Sequence, residues 1–146
     1  MHELLSTYVQ GLIELGGEPS EQHLLVVFSK GDLLGSRLDR WESIRSYLQA
    51  GDLDNLQNLR LKAHIAGMAE VSAHLKSFTE KELGAQQFIN FACDQFKSLE
   101  FSIISSLGAK PVENRLQVEI TPRCIFDPLF WVTYKSLGWL RRKLFF

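Results

Sequence analysis

The hydrophobic and polar positions from Leu53 to Phe78 repeat with the period of an α-helix. Small residues occupy much of one side of this helix: Ala63, Ala66, Gly67, Ala69 and Ala73. A wide and mostly apolar arc occupies the other: Leu53, Leu61, His64, Ile65, Met68, Val71 and Leu75. A helix with so little polar surface is enclosed by neighbours. The pattern therefore predicts a central helix with a bulky partner on the apolar arc and a close partner on the small-residue side.

A second long helix is predicted between Thr79 and Gly108. Thr79 and Glu82 have the spacing of a capping box, and Gly108 stands where a glycine often follows a helix end. The predicted buried stripe is Phe88, Ala92, Phe96, Leu99, Ile103 and Leu107. We expect these two long helices to form the core pair.

Two shorter helices precede the central one. Apolar residues recur at helical spacing over residues 3–15, and Gly16 and Gly17 end that pattern. A helix over residues 37–49 is predicted after Ser36, a suitable N-cap, and Asp52 is a suitable N-cap for the central helix. The connection between these last two helices is short, which favours antiparallel packing.

The run HLLVVFSK, from His23 to Lys30, fits two kinds of element. Its β-branched and aromatic centre suits a buried strand. Ser20 before it and Gly31 after it suit the ends of a short helix. We favour the helix.

The pattern changes after Gly108. Leu116, Val118 and Ile120 alternate with polar residues, which predicts a half-buried strand. Its partner is residues 112–114 folded back, HLLVVFSK, the RCIF stretch at 123–126, or the same strand of a second copy, which would make a homodimer. Asp127 and Pro128 then predict the start of a C-terminal helix.

These elements predict a mainly α or α+β fold. It is a helical bundle around two long central helices, with one short strand or hairpin near residues 112–121 and a C-terminal amphipathic helix. The chain of 146 residues is long enough for one real core. We expect residues 1–146 to form a single globular domain, with 109–146 as a strand-plus-helix extension packed on it or projecting from it.

Composition adds limits rather than a function. Hydrophobic residues make up 45% and charged residues 23%, which argues against disorder, and the formal net charge of −1 leaves no field over the whole molecule. The start of the chain lacks the features of a signal peptide, and no apolar run is long enough for a membrane span. Cys93 and Cys124 are far apart and are expected to be reduced, so we expect a cytoplasmic protein. Cys93 is predicted to be the buried, inert thiol and Cys124 the more reactive one.

His64 lies in a stretch, LQAGDLDNLQNLRLKAH followed by Ile65, Ala66, Gly67 and Met68, that resembles the phosphoacceptor helix of histidine phosphotransfer domains. The resemblance implies a helical bundle with an exposed phosphoaccepting histidine. The sequence departs from the family's pattern, because the lysine after the histidine is missing and the glycine comes one position early. A histidine on an apolar helical face is more commonly a packed residue, and that is the reading we prefer. His64 is the one catalytic candidate.

Other chemical motifs are missing from the sequence. It has no P-loop, GxGxxG, GxSxG or HExxH pattern, and no two of its histidines have i, i+4 spacing. We therefore expect no metal site and no cofactor. The sequence favours a non-enzymatic protein.

The C-terminal segment carries the most distinctive chemistry. Residues 123–146 hold five basic residues and one acidic residue, a net charge of +4, so the remaining chain sums to −5. Aromatic residues interleaved with basic ones can fill pockets on a protein, lie in a membrane interface or stack on nucleic-acid bases. We predict an adaptor, regulatory or inhibitory protein that contacts another protein through Trp131, Tyr134, Lys135, Trp139, Arg141, Arg142 and Lys143. A membrane surface and nucleic acid are the alternative partners, and in another alternative these aromatics complete the core. If Leu129, Val132, Leu137, Leu140 and Leu144 face the domain, the basic residues and part of the aromatic set must lie outward.

Overall fold

The computed structural model describes residues 2–51, 61–108 and 119–136. It is mainly helical, as the sequence predicted, and it contains a small two-stranded parallel sheet. Its elements, in chain order, are α1 (His2–Glu14), a 3₁₀ turn (Pro19–Glu21), β1 (His23–Phe28), a 3₁₀ segment (Gly31–Leu38), α2 (Glu42–Ala50), α3 (Leu61–Lys81), α4 (Gln86–Gln95), β2 (Ser98–Ile103) and α5 (Asp127–Ser136).

The central helix is confirmed as α3 over residues 61–78, and it continues to Lys81. The predicted start at 53–60 lies outside the described residues. Its apolar arc enters the core, where Val71, Leu75 and Phe78 are buried against β2 and α2. The predicted close partner on the small-residue side is wrong for the described part of the chain. Ala63, Ala66, Ala69 and Ala73 are exposed, because the sheet fills the opposite side of α3.

The prediction of a second long helix between Thr79 and Gly108 is wrong. Thr79 is inside α3 and its hydroxyl donates to the Leu75 carbonyl at 2.7 Å, so it does not cap a new helix. Gly84, with φ +61°, follows the end of α3. The shorter α4 follows, with Phe88 and Ala92 buried as predicted, and the chain then becomes strand β2. A strand forms at this point because β1 supplies a partner.

HLLVVFSK is a strand, so the preferred helix is wrong. β1 pairs in parallel with β2, from His23 opposite Ser98 to Phe28 opposite Ile103. The aromatic ring of Phe28 packs against those of Phe78 and Phe101, with centroids 6.0 and 6.4 Å away. These contacts with distant residues outweigh the local helix-start signal.

The remaining predictions are met in part. The first helix is confirmed as α1, and Gly16 after it has φ +77°. The helix predicted from residue 37 begins later, at Glu42, because residues up to Leu38 form the 3₁₀ segment. Asp52 and residues 112–118 of the predicted strand or hairpin lie outside the described residues. The described remainder, 119–121, is not a strand, and Ile120, predicted on the buried side, is 56% exposed. α5 begins at Asp127, as predicted, and packs against α3 and β1.

Candidate functional site

A buried carboxylate, Asp127, joins three helices at one point. Its side chain is only 5% exposed and lies at the start of α5. The Tyr47 hydroxyl, on α2, donates to Asp127 Oδ2 at 2.6 Å. On α3, His64 Nε2 is 2.8 Å from Asp127 Oδ1. An ionised carboxylate only accepts hydrogen bonds, so His64 carries its proton on Nε2 in this arrangement.

The surroundings of Asp127 keep the neighbouring groups protonated. Burial, followed by the negative charge of Asp127, raises the pKa of the Tyr47 hydroxyl far above its ordinary value of 10.0. The same two causes raise the pKa of the Cys124 thiol from 9.0 to about 12. Tyr47 is therefore a permanent hydrogen-bond donor at neutral pH, and Cys124 is a protonated thiol that is a poor nucleophile.

Two aromatic rings contact His64 in addition to its hydrogen bond. The Tyr47 ring stacks near it at 6.5 Å between centroids, and the Phe130 ring meets it edge-on at 5.6 Å. Its side chain is 20% exposed. The nitrogen that faces Asp127 is engaged, so the geometry favours a packed residue that fixes α5 against α3 over an exposed phosphoacceptor. The sequence predicted Asp127 only as the start of a helix. No local pattern identified Tyr47 and His64 as its hydrogen-bond partners.

A groove of about 370 Å³ lies between α3 and α5. Its walls are mostly apolar, and its charged residues lie on α3, β2 and α5. The lining residues are Lys62, Ile65, Ala66, Met68, Ala69, Glu100, Trp131, Tyr134 and Lys135. The Lys135 ammonium pairs with Glu100 at 3.0 Å and lies 5.1 Å from the Trp131 ring centroid, so α5 is fixed to β2 along this wall.

The opposite side of α5 is also apolar, and it faces outward. Leu129 is 61% exposed, Val132 49% and Phe126, just before the helix, 40%. We call Phe126, Leu129 and Val132 the outer face of α5. A helix that is apolar on both sides is normally enclosed, yet the described residues enclose only one side of this one. The exposure of Leu129 and Val132 contradicts the orientation expected for the partner-binding reading, in which these two residues face the domain and part of the aromatic set lies outward.

The structure places three of the predicted partner-binding residues together. Trp131, Tyr134 and Lys135 line the groove between α3 and α5. Trp131 is buried at 8% exposure, with its ring edge-on to His23, so it is a wall of the groove rather than a projecting side chain. The other four, Trp139, Arg141, Arg142 and Lys143, lie outside the described residues. The outer face of α5 was missed because helical periodicity cannot choose a side when both are apolar.

The burial of the two thiols is the reverse of the prediction. Cys93 is exposed on α4, and Cys124 is buried beside Gly51, where its backbone N–H donates to the Gly51 carbonyl at 2.9 Å. Cys93 falls on the outer side of α4, whose buried side carries Phe88, Ile89 and Ala92. Among residues 2–51, 61–108 and 119–136, no group of three or more potential metal-ligating side chains comes together.

Comparisons with protein-family models, with curated proteins and with solved structures found no match. None of the helices in the described ranges combines the length and the apolar character that crossing a bilayer requires.

Proposed function

We propose that this chain is a small cytoplasmic adaptor or regulatory protein that binds an amphipathic helix of another protein on α5. The observation that carries the proposal is the exposed apolar outer face of α5, which lies on the other side of this helix from the groove. The outer face offers Leu129 and Val132, at 61% and 49% exposure, as apolar contacts. A partner that covers these side chains removes apolar surface from water, which favours association.

A rigid anchor supports binding at this surface. Asp127 fixes the first turn of α5 to α2 and α3, and Lys135 fixes its last turn to β2. A helix held at both ends presents its exposed residues in one arrangement, so this chain loses less conformational entropy when it binds a partner. This anchoring role assigns His64 and Tyr47 to positioning and not to catalysis.

The charges beside the groove select the kind of partner. Lys62 and Lys135 lie along it, and Glu100 is the acidic residue among those that line it. Lys135 and Glu100 pair with each other, and Glu100 also accepts from the Ser72 hydroxyl, so two lysines and one glutamate give the groove a net charge of +1. The surface therefore favours a partner helix that carries acidic residues next to its apolar positions.

The test compares two surfaces of equal chemical character. Leu129→Asp and Val132→Asp change the outer face of α5, and Leu4→Asp on α1, at a leucine 78% exposed, is the matched control. The tagged protein is crosslinked in its own cell, and the enriched proteins are quantified for each variant. We expect one set of proteins to be lost with both α5 variants and kept with Leu4→Asp. All three variants should melt like the wild type, since surface substitutions change stability by about ±0.5 kcal/mol.

Two results would contradict this function. The first is an enriched set that α5 variants leave unchanged, or that Leu4→Asp reduces equally. The second is preferential binding of the purified protein to anionic vesicles or to single-stranded RNA, which would favour the membrane or nucleic-acid alternatives. Acid-labile phosphate that forms on the wild type and not on His64→Ala would instead support the phosphotransfer alternative.

A further inference from the structure

Within the part of the chain that the structure describes, β1 has one paired edge and one open edge. The Phe28 carbonyl accepts from the Ile104 N–H at 2.9 Å, and the register places Phe28 opposite Ile103. Alternate residues of a strand direct their backbone groups to the same neighbour. Leu25 and Val27 therefore direct their N–H and C=O groups away from β2. In the described ranges the sheet has only the two strands, and no backbone hydrogen bond reaches these groups.

The outer edge of β2 is covered. The Phe101 N–H, which points away from β1, donates to the Ser72 hydroxyl oxygen of α3 at 2.8 Å. Phe101, Ser102 and Ile103 are buried, whereas no residue of β1 is buried. The open edge of the sheet is therefore that of β1. An apolar strand with unpaired backbone groups is a template for another extended chain.

We propose that β1 of a second copy of this chain pairs antiparallel with the open edge of β1, giving a homodimer with one continuous sheet. A two-fold axis makes the two strands antiparallel and places the same surface of each copy against the other. With the axis at Val26, Leu25 lies opposite Val27 of the second copy. Both residues then exchange N–H···O=C hydrogen bonds with their counterparts.

Charge favours a second copy in this orientation. The strand HLLVVF carries no carboxylate, lysine or arginine, but Glu21 precedes it and Lys30 follows it, and both are exposed. Antiparallel pairing brings Glu21 of each copy next to Lys30 of the other at both ends of the strand. Parallel pairing would place like charges together, which is unfavourable. The dimer uses β1 and is independent of the outer face of α5.

The first test measures molar mass by light scattering after gel filtration, over a wide range of protein concentration. We expect a concentration-dependent dimer for the wild type. Val27→Pro removes an outward N–H without removing a bond to β2, and should give a folded monomer. Val27→Thr keeps both the N–H and the β-branched shape, so it should remain dimeric. A wild type that is monomeric at the highest concentration, or a Val27→Pro protein that stays dimeric, would overturn the proposal.

The second test does not depend on the proline variant folding. Amide exchange followed by NMR should show Leu24 and Val26 protected at all concentrations, because their N–H groups face β2. Protection at Leu25 and Val27 should rise with the dimer fraction. Fast exchange at Leu25 and Val27 in the dimer would place the interface elsewhere and overturn the proposal.

A charge exchange tests the orientation of the strands. Lys30→Glu should weaken the dimer, and adding Glu21→Lys to it should restore the dimer. A double variant as weak as Lys30→Glu alone would overturn the antiparallel pairing. Leu129→Asp should leave the dimer intact, so failure of this inference and failure of the proposed α5 function are distinguishable.

Discussion

Tyr47→Phe is expected to weaken the junction at Asp127 by removing one atom. The phenol oxygen donates a 2.6 Å hydrogen bond to Asp127 Oδ2, and a hydrogen bond to a charged group contributes about 1.5–3 kcal/mol. The ring that stacks near His64 at 6.5 Å is kept, so packing changes little. We expect the free energy of unfolding to fall by about 1.5–3 kcal/mol. Urea denaturation at neutral pH, followed by far-ultraviolet circular dichroism, measures it.

A double-mutant cycle assigns this loss to the hydrogen bond. Asp127→Ala removes the acceptor for both Tyr47 and His64 and should cost more than Tyr47→Phe. In the Asp127→Ala background, Tyr47→Phe should cost almost nothing further, because its acceptor is already missing. The reasoning is refuted if Tyr47→Phe costs less than about 0.5 kcal/mol in the wild type, or costs the same in both backgrounds.

Four further outcomes follow from the structure. In thiol labelling of the native protein, exposed Cys93 should react far faster than buried Cys124; equal rates would contradict the burial. Because the pKa of Cys124 is raised from 9.0 to about 12, the folded state keeps a proton that the unfolded state releases. The stability that this group contributes is present below pH 9 and lost as pH rises toward 12, so denaturant midpoints should fall over that range, and less steeply in Cys124→Ala. Gly51→Ala places a methyl group against the Cys124 sulfur and should lower the stability of the protein. Adding Cys124→Ala to this variant should restore much of the lost stability. If stability is not restored, the clash is with a group other than the Cys124 sulfur. Gly67→Ala should stabilise α3 by about 0.5–1 kcal/mol, because alanine favours a helix more than glycine does. The new Cβ would contact Tyr47 at an ordinary van der Waals distance of 3.6 Å. A lower melting temperature would show that this side of α3 is enclosed.

The candidate site was predictable only in part. Trp131, Tyr134 and Lys135 were identified from the mixture of aromatic and basic residues, and the structure gathers them along one groove. The outer face of α5 could not be chosen, because the helix is apolar on both sides. The buried role of Asp127 was also hidden, since its partners are separated from it by 80 and 63 residues.

The sequence by itself determined α1, the core side of α3 and the start of α5. These features depend on residues three to four positions apart, or on a helix-start signal such as Asp127 followed by Pro128, so they can be read locally. Only the tertiary structure decided that HLLVVFSK is a strand and that the chain forms a strand again at residues 98–103. A strand requires a partner for its backbone groups, and for His23 that partner is Ser98, which lies 75 residues further along the chain. No local pattern contains that pairing, and the open edge of β1 is a consequence of it.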